Sequence, residues 1–345
     1  MTPSPKNLQL QPIVPWTGMD WPLDWKACFG RSAPLHVELG FGDGEYLERR
    51  AAAAPAENWV GVEVSWFSMR RVLRRLERAR LTNVRLVQVD AAFALRRLFP
   101  DASLSEVAVN HSDPWPKKRH HERRLVEPRF LSVLASRLHM NGRATIVTDH
   151  AEYADWIGRA LSGVPELASV FPTGRVHELA GRLPTRYERK ARAAGSTIHY
   201  FVWKKIVDAC PSPARVMRVE DMPNVLLEGS LSESTLSSNS LFAEPPVTSL
   251  DGPRVQLMSV YRRVDGEEWL VEGRVDEDGF VQHLALSVHR RADNRWLIKP
   301  ATIGFPRPTA GVREAVHALA DALLRDNPGL RVIASGVGEL TQPHR

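Results

Sequence analysis

Acidic side chains follow successive apolar runs in the first third of the sequence. Glu38 precedes the glycine-rich turn Gly40-Phe41-Gly42-Asp43-Gly44, Glu63 ends the next run and Asp90 ends a third. The glycines let the chain turn sharply from a strand into a helix and let a ligand approach the backbone. An acid about 20 residues after such a turn is placed to meet ribose hydroxyls. The spacing therefore predicts a nucleoside site.

The charge of this turn indicates which nucleoside binds. A dinucleotide site would place a third glycine at position 45, next to a helix N-terminus that receives pyrophosphate, but this chain has Glu45 there. With Glu38 and Asp43, it makes an acidic pocket that repels phosphates and suits the ammonium and sulfonium groups of S-adenosylmethionine. We therefore expect S-adenosylmethionine as the cofactor, approached by Gly40 and Gly42. Asp90 either accepts from the adenine amino group or is an ordinary loop acid.

A proline-rich loop and a run of cations form the second chemical feature. The loop is Asp113-Pro114-Trp115-Pro116, and residues 117–124 follow it as KKRHHERR. Because proline biases the preceding residue to extended conformations, Asp113 and Trp115 are predicted to be extended in a stiff loop. The cations, expected to open a helix, could neutralise several phosphates while the acid and the indole stay at the reaction centre. A solvated charged helix is the alternative interpretation.

These motifs need a scaffold that brings them together. From residue 35 to about residue 201, short β-branched runs alternate with helical patterns, which indicates parallel strands joined by right-handed crossovers. We predict a doubly wound, Rossmann-like α/β sheet that binds ligands at the carboxyl ends of its strands. The predicted strands are 35–39, 59–64, 84–89, 107–110 and 144–148.

The pattern changes beyond residue 205. Residues 229–240, GSLSESTLSSNS, have the composition of a flexible linker. Alternating runs at 255–264, 269–275 and 280–288, separated by the pairs Asp265-Gly266 and Asp278-Gly279, predict an antiparallel meander. A helix over 310–325 and a strand over 330–333 complete a smaller α+β domain. The expected organisation is an N-terminal extension (1–34), a methyl-donor-binding domain (35–205), a linker (206–253) and the α+β domain (254–345).

Composition restricts the partners and the compartment. Lys and Arg exceed Asp and Glu by 46 to 40, and the pI is about 9.5, which favours a polyanionic partner. Cys28 and Cys210 are the only cysteines, so we expect neither a disulfide framework nor a metal site. The chain has no signal-like segment and no apolar run long enough for a membrane span. We expect a cytoplasmic protein without a membrane partner; the sequence leaves the oligomeric state open.

Together these motifs resemble the bacterial tRNA (guanine-N7-)-methyltransferase family over about residues 35–205. Five ordered blocks carry the resemblance: E-L-G-F-G-D-G from Glu38, G-V-E-V from Gly61, D-P-W-P-K-K-R-H-H-x-R-R from Asp113, T-D from Thr148 and T-R-Y-E from Thr185. The resemblance implies methyl transfer from S-adenosylmethionine to N7 of a variable-loop guanine in tRNA.

The resemblance also implies roles for individual residues. The cofactor contacts would be Glu38, Glu63, Asp90 and Asp113, and Asp113 would also be the catalytic residue of the active site. Substrate contacts would be Lys117, Asp149, Thr185, Arg186, Tyr187 and Glu188. The RNA-contacting segment would be Arg119, His120, His121, Glu122, Arg123 and Arg124. Thr185 also fits a helix N-cap with Glu188 at the third helical position, which is compatible with ligand binding.

Some features depart from the family pattern. Asn110-His111-Ser112 stand where the family usually has an aromatic residue and a proline before the aspartate. Two alternatives therefore stay open: an exocyclic-amine RNA methyltransferase, whose loop usually has two consecutive prolines, and a catalytically impaired tRNA-binding protein. The family pattern ends near Lys205, and its motifs identify no counterpart for the remaining 140 residues, 345 − 205. Cations there, such as Arg262 and Arg274, are either solvated or lengthen the tRNA grip.

Overall fold

Alternating strands and helices form a seven-stranded sheet in the computed structural model, which describes residues 10–232, 235, 252–264, 268–277, 280–303 and 306–340. The chain divides into two compact units, Met1–Val216 and Met217–Arg345. The first nine residues of the predicted extension, most of the predicted linker segment 229–240 and the pairs Asp265-Gly266 and Asp278-Gly279 lie outside the described residues.

The first unit has the predicted doubly wound α/β architecture. Its strands are β1 Leu35–Leu39, β2 Asn58–Glu63, β3 Val84–Gln88, β4 Leu104–Asn110, β5 Leu138–Thr148, β6 Leu167–Ser169 and β7 His199–Lys205. Its helices are α1 Trp25–Phe29, α2 Glu45–Ala53, α3 Trp66–Ala79, α4 Ala91–Arg97, α5 Pro128–Arg137, α6 Ala151–Ser162 and α7 Arg186–Ala193, with 3₁₀ helices at Trp16–Gly18 and Lys118–Arg123. The strand order is β3-β2-β1-β4-β5-β7-β6. β1 to β5 run parallel, and β7 is antiparallel to both β5 and β6.

This order creates a switch point between β1 and β4. The chain moves from β1 outward to β3 and then returns to β4 on the other side of β1. Right-handed crossovers place α2 and α3 on one face of the sheet and α4 and α5 on the other, and each helix pair is in contact. Ligands bind at such switch points because the strand ends there diverge.

Local sequence patterns account for these elements. All five residues of β1 are buried, as expected for a strand covered on both faces. The predicted strands agree with β1 to β5 to within a few residues, except that β5 begins six residues earlier. The sequence did not predict β6 or β7, because β6 has only three residues and neither belongs to the parallel alternation.

The described part of the N-terminal extension belongs to the first unit. Ile13 forms a parallel bridge with Leu86 of β3, and the Val14 amide donates to the Leu86 carbonyl at 2.9 Å. Trp21 is fully buried, and Trp25 Nε1 donates to the Leu98 carbonyl at 3.0 Å. Residues 10–34 therefore add to the hydrophobic core.

The second unit is the predicted smaller α+β fold. Its elements are β8 Val225–Glu228, β9 Arg254–Arg262, β10 Glu268–Glu277, β11 Phe280–Arg291, β12 Arg295–Pro300, α8 Ala310–Asp326 and β13 Arg331–Ser335. They form an antiparallel sheet in the order β13-β8-β12-β11-β10-β9, and α8 packs on it. β8 lies within residues 206–253, where a linker was expected, and β12 was not predicted. β8 has only four residues, too few to show an alternating pattern in the sequence. Its pairing with β12 and β13 defines it as a strand.

In the ranges that the structure describes, no helix combines the length and the apolar character needed to cross a bilayer.

Candidate functional site

A crevice of about 450 Å³ opens at the carboxyl ends of β1 to β4. The predicted site residues among its lining are Gly40, Glu63, Asp90, Asp113, Glu122, Arg123 and Arg124. Asn110, His111, Ser112 and Trp115 line it as well. The structure thus brings Glu63, Asp90 and Asp113, which come from the ends of three different strands, to one edge of the sheet.

Gly40 of the glycine-rich turn lines the crevice, whereas Gly42 and Gly44 lie outside its lining. Gly40, Gly42 and Gly44 all have left-handed backbones, with φ of +70°, +56° and +72°. A Cβ on Gly44 would lie 2.5 Å from Val72 Cγ2 of α3, so only glycine fits there. A Cβ on Gly40 would meet no atom within 4 Å, so the backbone at Gly40 is open to a ligand.

Backbone amides fix the acids that follow β2 and β3. Glu63 Oε2 accepts from the Gly42 amide at 3.1 Å, and Oε1 accepts from the amides of Val64 and Ser65 at 2.9 and 3.0 Å. The carboxylate therefore ties the end of β2 to the glycine turn. Asp90 Oδ1 accepts from the Phe93 amide at 2.8 Å and caps α4. Asp90 is both a helix cap and a residue of the crevice wall.

Glu38 lies behind the crevice wall rather than in it. Its side chain is only 1% exposed, and Oε1 accepts from Asn110 Nδ2 at 2.8 Å. Oε2 is buried without a hydrogen-bond partner among the described residues. Burial raises the pKa of Glu38 to about 8, although the Asn110 hydrogen bond and the nearby Arg182 charge oppose that rise. Burial therefore favours the neutral form of this carboxyl.

A buried network connects Glu38 to α7. Asn110 Oδ1 accepts from Arg182 Nη2 at 2.6 Å, and the same nitrogen lies 2.5 Å from Glu188 Oε1. Tyr200 donates its hydroxyl to Glu188 Oε2 at 3.1 Å. Glu188 is fully buried, so the structure places this predicted substrate contact inside the protein, as the partner of Arg182.

The other residues of the T-R-Y-E motif divide between cap and surface. Thr185 is buried, and its side chain accepts from the Glu188 amide, as the sequence predicted for an N-cap. Arg186 and Tyr187 are exposed. The Tyr187 ring stacks near the His111 ring, with centroids 6.2 Å apart, so Tyr187 lies beside the loop that precedes Asp113.

Side-chain hydrogen bonds hold the unusual segment Asn110-His111-Ser112. Asn110 is bonded to Glu38 and Arg182, as described above. His111 Nδ1 lies 3.2 Å from Asp149 Oδ1, and Ser112 Oγ lies 3.2 Å from the Tyr153 hydroxyl. His111 has a φ of +52°, an uncommon backbone for histidine that these contacts maintain. The segment is thus fixed without the proline that usually precedes the aspartate.

The loop around Trp115 differs from the prediction. Asp113 is exposed at the crevice, but Trp115 has a φ of +42°, so the expectation of an extended Trp115 was wrong. Its ring lies 5.2 Å from the Arg123 guanidinium and 5.9 Å from the His120 ring. These contacts stabilise a backbone conformation of Trp115 that the following Pro116 disfavours.

Most side chains of the basic run, residues 117–124, are exposed to solvent. The basic run was expected to open a helix, and it forms the 3₁₀ helix Lys118–Arg123, which ends before the α-helix α5 begins at Pro128. Lys117, Lys118, Arg119, Glu122 and Arg123 are exposed, and His120 and His121 are half-buried.

Arg124 points inward instead. It is 3% exposed, donates from Nε to the Pro114 carbonyl at 2.8 Å and pairs with Glu152 at 3.1 Å. The prediction that Arg124 contacts RNA is therefore corrected, because its guanidinium is used to anchor the proline loop.

Sequence reasoning missed Arg182 and Tyr153, which hold the segment before Asp113. Asn110 and Arg182 are 72 positions apart, and no local pattern marks a buried arginine. The proximity of Arg182 to the T-R-Y-E motif was the one available signal. Among the residues that the structure describes, no three His, Cys, Asp or Glu side chains are grouped in a way that could hold a metal ion.

Comparisons with known proteins agree with this geometry. A family model described as "Putative methyltransferase" matches residues 32–201. A tRNA (guanine-N(7)-)-methyltransferase of Thermotoga maritima is 34% identical over 305 residues, which is 88% of this chain and 93% of the relative. The enzyme of that name from Thermus thermophilus is 34% identical over 322 residues, or 93% and 98%. One from Cutibacterium acnes is 39% identical over 204 residues, or 59% and 72%.

The length of two of these alignments shows that the second unit also has a counterpart in relatives. The first unit ends at Val216, so an alignment that covers 93% of the chain must extend through most of the second unit. The residues beyond Lys205, for which the sequence motifs identified no counterpart, therefore have one in the Thermotoga and Thermus relatives.

Proposed function

Because this chain belongs to the tRNA (guanine-N7-)-methyltransferase family, we propose that it transfers a methyl group from S-adenosylmethionine to N7 of a guanine in the variable loop of tRNA. One observation carries the proposal: Glu63, Asp90 and Asp113 line a crevice that the cationic segment from Lys117 to Arg123 borders. A cationic cofactor and a polyanionic substrate require these opposite charges side by side.

The residues present fit the cofactor. The backbone at Gly40 is open to a ligand. Glu63, whose carboxylate accepts from the Gly42 amide, lies about 20 residues after the glycine turn, which is the spacing of an acid that binds ribose hydroxyls. Glu63 already accepts three amide hydrogen bonds, which leaves about one lone-pair site for a ligand hydroxyl. Glu38 would act on the cationic methionyl part through Asn110, which lines the crevice and donates from Nδ2 to Glu38 Oε1.

The chain's residues would act by alignment and electrostatics. Bound S-adenosylmethionine supplies an electrophilic methyl group on a sulfonium. Guanine N7 has an in-plane lone pair, so no general base is required. Asp113, and Asp149 held by His111, would accept hydrogen bonds from guanine N1 and N2 and stabilise the positive charge that develops on the purine. Alignment of the reacting atoms within about 3.5 Å contributes several kcal/mol more.

Exposed cations beside the crevice would bind the RNA backbone. Lys117, Lys118, Arg119 and Arg123 are free of carboxylate partners among the described residues, and Arg123 also steadies the Trp115 ring. They can neutralise phosphates and so set the register of the tRNA on the enzyme. We propose that the enzyme acts in the cytoplasm.

Residues 110–112, which differ from the family pattern, do not favour the hypothesis of a catalytically impaired tRNA-binding protein. That hypothesis rested on the loss of a rigid proline before Asp113. Side-chain hydrogen bonds to β1, to the loop between β5 and α6, and to α6 restrain the same segment. The geometry therefore supports an active enzyme.

Mapping of the methylated atom tests the proposal. The full chain is incubated with methyl-labelled S-adenosylmethionine and unmodified tRNA, and the RNA is digested to nucleosides. We expect 7-methylguanosine. Asp113→Asn should lower the rate at least about 100-fold, the size expected for losing one transition-state contact, while tRNA affinity changes less than twofold.

Asp155→Asn, on α6 outside the crevice, is the matched control and should retain activity. A base-amine methylated nucleoside, or no methylated product, would overturn the proposal.

A further inference from the structure

We infer that the outward face of α3 is a second tRNA-binding surface, which holds the RNA backbone away from the target guanine. This α3 surface consists of Trp66, Phe67, Arg70, Arg71, Arg74 and Arg78. The inference rests on the proposed function, since it assigns a further contact to the same substrate.

The two faces of α3 have opposite chemistry. Met69, Val72, Leu73 and Leu76 are buried against the sheet. The α3 surface occupies the other side of the same helix, where its six residues are all exposed. Helical periodicity therefore gathers four arginines and two aromatic rings on one solvent-facing stripe.

Ion pairs do not neutralise this stripe. Arg75, at the edge of the helix, pairs with Glu48 at 2.7 Å and lies 4.0 Å from Asp43. No carboxylate of the described residues lies within ion-pair distance of Arg70, Arg74 or Arg78. Glu77 is the one acid on the exposed side of α3, so the surface keeps a strong positive charge.

Exposed aromatic rings distinguish this stripe from an ordinary solvated helix. Phe67 is 64% exposed and Trp66 is 44% exposed. The Arg71 guanidinium lies over the Phe67 ring, 4.6 Å from its centroid. Aromatic rings between arginines suit nucleic acid, because bases stack on the rings while the guanidinium groups bind phosphates. An RNA strand thus matches both features of the surface.

The position of α3 relates the surface to the reaction. Val64 lines the crevice, and α3 begins two residues later. With 14 residues at 1.5 Å each, the helix leads about 21 Å away from the crevice rim. The segment from Lys117 to Arg123 follows β4, whereas α3 follows β2, and β1 lies between these two strands. An RNA that crosses the crevice can therefore meet a cationic surface on each side.

Charge removal tests the inference in the full chain. The α3 variant combines Arg70→Gln, Arg74→Gln and Arg78→Gln. The control combines Arg129→Gln, Arg143→Gln and Arg159→Gln, three exposed arginines on α5, β5 and α6. Affinity for unmodified tRNA is measured over a series of salt concentrations, together with kcat and KM for methyl transfer.

We expect the α3 variant to bind tRNA about 10- to 100-fold more weakly near 0.1 M salt. The slope of log affinity against log salt concentration should decrease in magnitude by about 2 to 3. Three phosphate contacts are lost, and each contributes about 0.7 to 0.9 to the slope. KM should rise while kcat at saturating tRNA and S-adenosylmethionine affinity stay unchanged. The control should retain the wild-type slope.

Equal slopes for the α3 variant and the control would overturn the inference. So would concentration-dependent self-association of the wild type that Phe67→Ala abolishes without changing tRNA affinity, because the surface would then join two copies. Failure of the wild type to form 7-methylguanosine would refute the proposed function. If the wild type forms 7-methylguanosine but the α3 variant keeps the wild-type salt slope, the proposed function stands and only the α3 contact is refuted.

Discussion

Burial of Glu38 predicts an unusual pH dependence of stability. Its pKa is about 8 in the folded protein, against 4.5 for an unperturbed carboxyl. Between these values the unfolded chain loses the proton while the folded chain keeps it, so the unfolded state binds fewer protons. The free energy of unfolding must then fall as pH rises through this window. Substitution by Gln removes the titrating group and leaves an uncharged side chain of the same shape.

The size of the effect follows from the two pKa values. Each pH unit between them lowers the free energy of unfolding by about 1.4 kcal/mol. From pH 5.5 to 7.5 the wild type should therefore lose about 2 to 3 kcal/mol that Glu38→Gln does not lose. For a unit of this size the difference corresponds to about 5 to 10 °C in melting temperature.

Thermal unfolding of the full chain at pH 5.5, 6.5 and 7.5 measures this difference. Contributions from other groups cancel when variant and wild type are compared in the same buffers. Glu77→Gln, at an exposed position of α3, is the matched control and should follow the wild type. If the melting temperatures of Glu38→Gln and wild type change in parallel with pH, Glu38 does not keep its proton in the folded state, and the reasoning fails.

Two further predictions concern the same interior. If the bound cofactor's positive charge ionises Glu38, binding at pH 7 should release close to one proton. Titration calorimetry in buffers of different ionisation enthalpy measures this release, and an equal buffer dependence in Glu38→Gln would contradict it. Arg182→Met should destabilise the protein by about 3 to 5 kcal/mol, because Glu188 would be left buried without its cation. Adding Glu188→Gln should recover more than half of that loss in denaturant unfolding; a double variant as unstable as the single one would argue against the pairing.

Local signals explain how much of the fold could be predicted. β1 and the turn after it were placed correctly because a buried five-residue run ends at glycines with left-handed backbones. The antiparallel meander of the second unit followed from strict alternation of apolar and polar residues. β6 and β8, with three and four residues, have no such period, and only pairing with neighbouring strands defines them.

The candidate site was predictable in its chemistry but not in its connections. Glu63, Asp90 and Asp113 could be placed together because each lies at or just beyond the end of a parallel strand, and such strand ends share one edge of the sheet. The partners of Asn110 could not be predicted, because its hydrogen bonds go to Glu38 and Arg182, each 72 positions away.

By itself, the sequence predicted acids at the ends of successive strands and a basic segment after the fourth strand, since strand period, glycine turns and charge runs are local properties. Only the tertiary structure decided which cations face solvent. Arg123 and Arg124 are adjacent and chemically identical, yet one is exposed and the other is buried against Pro114 and Glu152. The physical reason is that burial depends on the groups that distant segments bring to each side chain, and a buried guanidinium is stable only where those segments supply acceptors.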